Sequence, residues 1–180
     1  MCRTITLVMV VTVMILTAGC GYMTGSLLPP ELDSIHVENF INSIDIAQEI
    51  SDRRSSYSYQ PGLEINITRA VIDEFMFDGN LTVKKADEAV LTLEGALIDF
   101  RQVPLSYDGD DNVEEFRIEL FVEMKLTNNL TKETMWKETN FMGETSYTVT
   151  GPHAKTETAA LNNAVEDLAQ RIVERTVEAW

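Results

Sequence analysis

The most regular pattern in the chain lies between residues 115 and 126. Phe116, Ile118, Leu120, Val122, Met124 and Leu126 fall at every second position, with Glu115, Arg117, Glu119, Glu123 and Lys125 between them. Alternation of this length predicts a long antiparallel strand with one covered face and one wet face. Phe121 breaks the pattern as a large apolar residue on the wet side, so something is expected to cover it. Upstream, Val90 to Val103 reads as a second long strand. Leu91, Leu93 and Leu97 share one phase, and Ile98 and Phe100 share the other. A phase change inside a strand predicts a bulge or strong twist, expected near Gly95-Ala96. Downstream, Asn128-Asn129 opens a turn, residues 133–149 read as a further strand with Trp136, Phe141 and Tyr147, and Gly151-Pro152 breaks it. Ile35 to Phe40 begins with alternation and reads as a short strand. Leu81-Thr82-Val83 continues extended.

Two segments switch to helical spacing. Leu63, Ile67, Ala70, Val71 and Phe75 form one apolar stripe. Pro61 suits the first turn of that helix, where no amide bond is lost. Asp78-Gly79-Asn80 stops it, with Gly79 placed for a left-handed cap. From Thr156 to Trp180, Leu161, Val165, Leu168, Ile172 and Ala179 recur at helical intervals, with Asn163, Glu166, Asp167, Arg171 and Glu174 on the solvated side. The polar stretch around Arg53-Arg54-Ser55-Ser56 reads as a loop. One-sided strands need a cover, and two amphipathic helices supply it. The expected fold is therefore α+β, a two-layer sandwich of two helices packed on a small mixed or antiparallel sheet of about four strands, over residues 35–180.

The first 34 residues follow neither pattern. Arg3 is followed by an apolar run from Ile5 to Leu16. That run is shorter than the roughly 20 residues of a membrane-spanning helix and fits the hydrophobic region of a secretory signal peptide. Small residues then lead to Cys20 in the run Leu16-Thr17-Ala18-Gly19-Cys20, as at the cleavage site of a bacterial lipoprotein. In that class the cysteine carries the acyl chains and becomes the mature N-terminus. The competing reading is an uncleaved anchor helix with an incidental cysteine. On the lipoprotein reading residues 1–19 are a signal peptide, Cys20 is the lipidation site, and residues 20–34, with Pro29-Pro30, are an extended tether. Gly21, where an Asp would favour the inner membrane, points to the outer membrane, with the domain on its periplasmic side. Cys2 leaves with the signal and Cys20 is consumed, so the domain must stand without disulfides.

Charge narrows the partners. The chain has 14 basic against 29 acidic side chains, a formal charge of −15. Only Arg3 falls in the signal, so the mature part is more negative still. Such a chain repels nucleic acid and has no polybasic stretch to draw it to anionic lipid, so membrane attachment falls to the acyl anchor.

Candidate chemistry is sparse. His36 and His153 stand apart from each other and from cysteine, so neither suggests a zinc site. Asp108, Asp110, Asn112 and Glu119 follow part of a calcium-loop pattern, but Val113 stands where the sharp turn needs Gly, and an acidic hairpin turn fits better. The Asn-x-Thr triplets at Asn66, Asn80 and Asn129 are read as chance in a bacterial chain. No nucleophile elbow or phosphate loop occurs. No cofactor, metal or catalytic residue is assigned. Arg101, Arg117, Lys125 and Lys137 lie at or near strand positions among many acids. They either pair with Glu across the sheet or contact an anionic ligand.

Taken in order, Cys20-Gly21-Tyr22, Gly25, Leu28-Pro29, Ile35 to Phe40, Pro61-Gly62-Leu63-Glu64, Asp78-Gly79, Ala86 to Leu91 and Leu93-Glu94-Gly95 make a series. Pro104 to Asp108, Phe116-Arg117, Met135-Trp136 and Ala164 to Ala169 continue it. The series resembles the LptE family of lipopolysaccharide-assembly lipoproteins; Phe116-Arg117 stands where that family often has Tyr-Arg, and Met135-Trp136 where it has Leu-Trp. The resemblance implies two helices on a small mixed sheet and no chemistry. It implies a partner, the outer-membrane β-barrel LptD, whose lumen such proteins plug and whose assembly they assist while lipopolysaccharide is placed in the outer leaflet. In some members basic residues contact the phosphates of the lipid, which makes Arg101, Arg117 and Lys125 the candidates for lipopolysaccharide or barrel contact. Two other readings stand beside it: an auxiliary lipoprotein of another envelope transport system, and an envelope hydrolase, which would need a cleft with convergent titratable groups.

Overall fold

The structure is a computed structural model, described here for residues 28–44 and 61–178. The expected signal peptide, Cys20, most of the expected tether, the segment around Arg53-Arg54 expected as a loop, and the last two residues lie outside the described residues. Eight elements follow one another among the described residues. They are β1 (Ser34–Val37), β2 (Ile41–Asn42), α1 (Leu63–Asp78), β3 (Thr82–Val83), β4 (Leu91–Tyr107), β5 (Val113–Asn128), β6 (Thr134–Thr148) and α2 (Glu157–Glu178).

The α+β class and the two helices agree with the sequence; the sheet is larger than expected, with six strands instead of about four. The path is β3-β1-β4-β5-β6, and β2 pairs with β4 beyond β1. β1, β2 and β3 run parallel to their neighbours, and β4, β5 and β6 form an antiparallel meander. The expected strand from Ile35 to Phe40 ends at Val37, and the chain pairs with β4 again only after Phe40, as β2. Glu38 N–H donates to Leu93 O and Ser43 N–H to Leu97 O, which carries the chain along β4 between them. Phe40 turns inward there, over Gly95; a Cβ on Gly95 would lie only 2.2 Å from the Phe40 ring.

The alternation in β5 behaves as read. Ile118, Leu120, Val122, Met124 and Leu126 are buried beneath the helices. The phase change in β4 is real but lies later than expected. The register slips between Leu97 and Asp99, not at Gly95-Ala96, so Leu97 and Phe100 both reach the core. Gly95 instead serves the close approach of Phe40.

Helix α1 begins at Leu63, after Gly62 at φ 91°, so Pro61 lies outside the first turn where it was expected. Leu63, Ile67, Val71 and Phe75 are buried as the stripe predicts, and Ala70 is only half-buried. Thr68 joins that face: its hydroxyl donates to Glu64 O and accepts from Phe40 N–H. Gly79, at φ 74°, closes the helix by donating its N–H to Phe75 O. Helix α2 lies over β5 and β6 and against α1. Leu161, Val165, Leu168 and Ile172 are buried in it. Gly143 of β6 lets α2 approach: a Cβ there would lie 2.5 to 2.7 Å from Leu168 atoms, backbone included. Asp167 accepts the Glu144 N–H at 2.9 Å, satisfying an amide of the edge strand β6. Arg175 donates to Glu138 at 2.8 Å and lies over the Trp136 ring at 4.8 Å, tying the end of α2 to the start of β6.

The folded body reaches back before residue 35. Leu32 and Ser34 are buried, and the Ser34 hydroxyl accepts from Val90 N–H.

Candidate functional site

The helices cover one face of the sheet and leave the other open. Period two and the cross-strand register decide which residues lie on the open face. On it Arg101 is opposite Glu119, Val103 opposite Arg117, Glu94 opposite Lys125, and Lys125 opposite Lys137. The four basic residues singled out in the sequence thus share one face, although they come from three strands.

All four are held by carboxylates. Arg101 meets Asp99 through Nη2 at 2.6 Å and Nε at 2.8 Å. Arg117 lies between Glu144 at 3.5 Å and Glu119 at 3.8 Å. Lys125 and Lys137 are like charges directly opposite one another, and each is drawn to its own partner. Lys125 meets Glu94 at 2.8 Å, and Lys137 lies 4.0 Å from Glu123. Of the two readings of these cations, charge pairing is the one the geometry displays. All four side chains are more than a third exposed, so each pair contributes at most about 1 kcal/mol. The pairs neutralise the face more than they stabilise the fold. A phosphate arriving here must displace a carboxylate. A surface that itself carries donors, acceptors and both signs of charge can exchange partners with it pair by pair.

Phe121 gains the cover that its position demanded. The Arg101 guanidinium lies 4.7 Å from its ring centroid, and the ring is only 8 % exposed. Sequence reasoning chose the cations but missed their partners. Glu94 and Glu144 lie on strands beside those of their cations, and only the register brings them into reach; Asp99 lies two residues before Arg101 on the same strand. A shallow depression of about 210 Å³ lies on this face among Ile41, Glu94, Glu123, Lys125 and Lys137.

The other candidates have structural positions. His36 Nδ1 donates to Lys84 O at 3.1 Å, and the His153 carbonyl accepts from the Thr148 hydroxyl. Residues 108–112 close the β4–β5 hairpin. Asp108 Oδ1 accepts the N–H groups of Asp110 and Asn112, each at 2.9 Å. The Asn112 amide and side chain, then the Asp110 amide, hold the Asp108 carboxyl below its ordinary pKa. Tyr147 is pushed above its usual pKa, first by burial and then by nearby Glu157; its hydroxyl accepts from Gln102 at 2.6 Å. Asn129, in the β5–β6 turn, donates to Ala89 O and Thr92 Oγ1, tying that turn to the start of β4. Among the described residues no three His, Cys, Asp or Glu side chains are grouped to hold a metal, and no described helix is long and apolar enough to cross a membrane.

Known proteins give this fold a context. The solution structure of lipoprotein B from Nitrosomonas europaea superposes with a TM-score of 0.55 at 12 % identity, covering 88 % of this chain and 90 % of that one. The dodecamer of a PelC variant from Paraburkholderia phytofirmans gives a TM-score of 0.50 at 13 % identity, covering 86 % of this chain and 96 % of that one. At such identities both establish shared architecture alone. No curated protein sequence matches significantly. The family model described as LptE, lipopolysaccharide-assembly, matches residues 32–176, which is the whole of the folded body from Leu32 to the last turns of α2. The chain belongs to the LptE family of lipopolysaccharide assembly.

Proposed function

We propose that this protein is an outer-membrane lipoprotein, acylated at Cys20, whose domain plugs an LptD-type β-barrel, assists its assembly and serves the insertion of lipopolysaccharide into the outer leaflet. The family match over residues 32–176 carries the reading. The open face of the sheet supports it: a large barrel has a polar interior, and a plane of mutually neutralised charges can meet such a wall without leaving a buried ion unpaired. The role requires no catalytic step. Arg101, Arg117 and Lys125 act first as contacts to the barrel wall. Direct contact of these residues with lipopolysaccharide phosphate requires Asp99, Glu144 and Glu94 to release them.

Affinity purification of the full chain from gently solubilised native envelopes tests the assignment. A co-purifying barrel of LptD type is expected, and Cys20→Ala should accumulate as an unlipidated precursor. Combined Arg117→Glu and Lys125→Glu should lower barrel recovery several-fold while leaving the folded domain intact by circular dichroism. Recovery of a lone, barrel-free lipoprotein would overturn the plug assignment.

A further inference from the structure

β6 is a border strand of the sheet. β5 lies on one side of it, and among the described residues no strand lies on the other. Cross-strand bonding alternates along an antiparallel pair, so one known bond fixes which amides point outward. Val149 N–H donates to Glu114 O at 3.0 Å. Counting back in that register, every second residue from Tyr147 to Phe141 bonds to β5, and Thr148, Ser146, Glu144 and Met142 turn their backbone groups outward. A row of this kind over residues 141–148 is long enough to take another strand.

The row is interrupted at its centre and at both ends. Asp167 of α2 accepts the Glu144 N–H at 2.9 Å. At one end the Thr148 carbonyl accepts the Lys155 N–H at 2.9 Å. At the other, Thr139 and Asn140 stand opposite Glu123 alone, a bulge that bends the strand away from a straight edge. The central contact depends on close packing. Gly143 has no side chain, so α2 comes down on β6 at Leu168. Asp167 directly precedes Leu168, and this approach brings its carboxylate to the amide that follows Gly143. Arg171, one turn further along α2, pairs with that carboxylate at 2.9 Å. On β4, Asp99 makes a like contact: it accepts the Phe100 N–H at 2.9 Å while pairing with Arg101.

We propose that Asp167 closes the β6 border against strand addition. The partner it excludes is an unpaired β-strand, from a second copy of this chain or from a barrel whose wall is not yet closed. The use of such a device rests on the assembly role proposed above. A protein that assists a barrel before closure meets strands with open edges. A domain with an open edge of its own would be drawn into that wall. With its border closed, it meets the wall through side chains and remains a separate body. The negative charge of the chain adds a weaker barrier to self-pairing, and salt screens it.

The acylated full chain is compared with three variants in detergent at high salt, each checked by circular dichroism. Asp167→Ala removes the acceptor and keeps a good helix former. Arg171→Ala removes the ion pair and keeps the acceptor. Asp167→Ala with Glu144→Pro also removes the donor, so this point of the border offers nothing to a strand. Mass is read by light scattering across a range of concentrations, and the Glu144 amide by hydrogen exchange. The natural chain and Arg171→Ala should stay monomeric. Asp167→Ala should exchange the Glu144 amide several-fold faster when dilute and form dimers and larger species when concentrated. The added Glu144→Pro should return it to monomer. Asp167→Ala that stays monomeric at every concentration while its Glu144 amide exchanges fast overturns the proposal. Self-association that is equal in Arg171→Ala, or unchanged by Glu144→Pro, assigns the effect to lost charge and overturns it too. Should Asp167→Ala lose its fold, Asp167→Ser takes its place with the same outcomes decisive. A natural chain that brings down no barrel, beside an Asp167→Ala variant that self-associates, would remove the assembly role and leave the closed border standing.

Discussion

Leu120 and Phe121 are neighbours in β5 and point to opposite sides of the sheet. Leu120 is fully buried beneath the helices. Phe121 is almost as buried, yet its cover is a guanidinium that is itself about half exposed. On the helix side, burial is shared between both helices and the sheet, and a truncated side chain there opens a void. On the open side, burial is local and made by side chains of the same sheet. Such a cover can be exchanged for a partner's side chain without disturbing the fold. One strand thus carries a rigid face that maintains the domain and an adaptable face suited to contact.

The largest effect should come from Leu120→Ala. A buried leucine replaced by alanine in a packed core costs about 2–5 kcal/mol, so the urea midpoint should fall sharply while the slope of the transition is unchanged. Arg101→Ala tests the other side. It removes a cation–π contact of about 0.5–1 kcal/mol and an exposed ion pair that adds little, and it uncovers Phe121. Its midpoint should fall slightly, while binding of a hydrophobic dye rises with the newly exposed ring. Equal losses from the two substitutions would mean that the open face is core, and the division of labour between the faces would fail.

Much of this division was legible in the sequence, and what was not has a common cause. The covered face of β5 could be read because every second residue from Phe116 to Leu126 is apolar. The two helices could be read because Gly79 and long apolar stripes mark them. β2 could not, because it has two residues and exists only through bonds to a distant strand, Ser43 N–H to Leu97 O among them; β3 could be read as extended, but not its pairing beside β1, where Thr82 N–H donates to Asp33 O. The bulge was anticipated but misplaced, since Gly95 suggested an irregular backbone when its task is to leave room for Phe40. The candidate cations were found and their partners were not. Arg117 meets Glu144 only because β6 pairs in one particular register, and a sequence does not state register.

The smallest expected effect lies at the hairpin tip, outside both faces, and depends on pH. Asp108 is fully exposed, and its carboxylate accepts two backbone N–H groups of its own turn, which lowers its pKa. A lowered folded-state pKa stabilises the native state above the ordinary carboxylate range, and that contribution is lost as pH falls through the folded value. Asp108→Asn keeps an acceptor oxygen for the turn and removes the charge. Thermal midpoints of the two proteins should therefore coincide in strong acid and separate slightly as pH rises through the carboxylate range, with the natural protein higher. An offset that stays constant across that range would assign the effect of Asp108 to turn geometry and remove charge from the account of the hairpin.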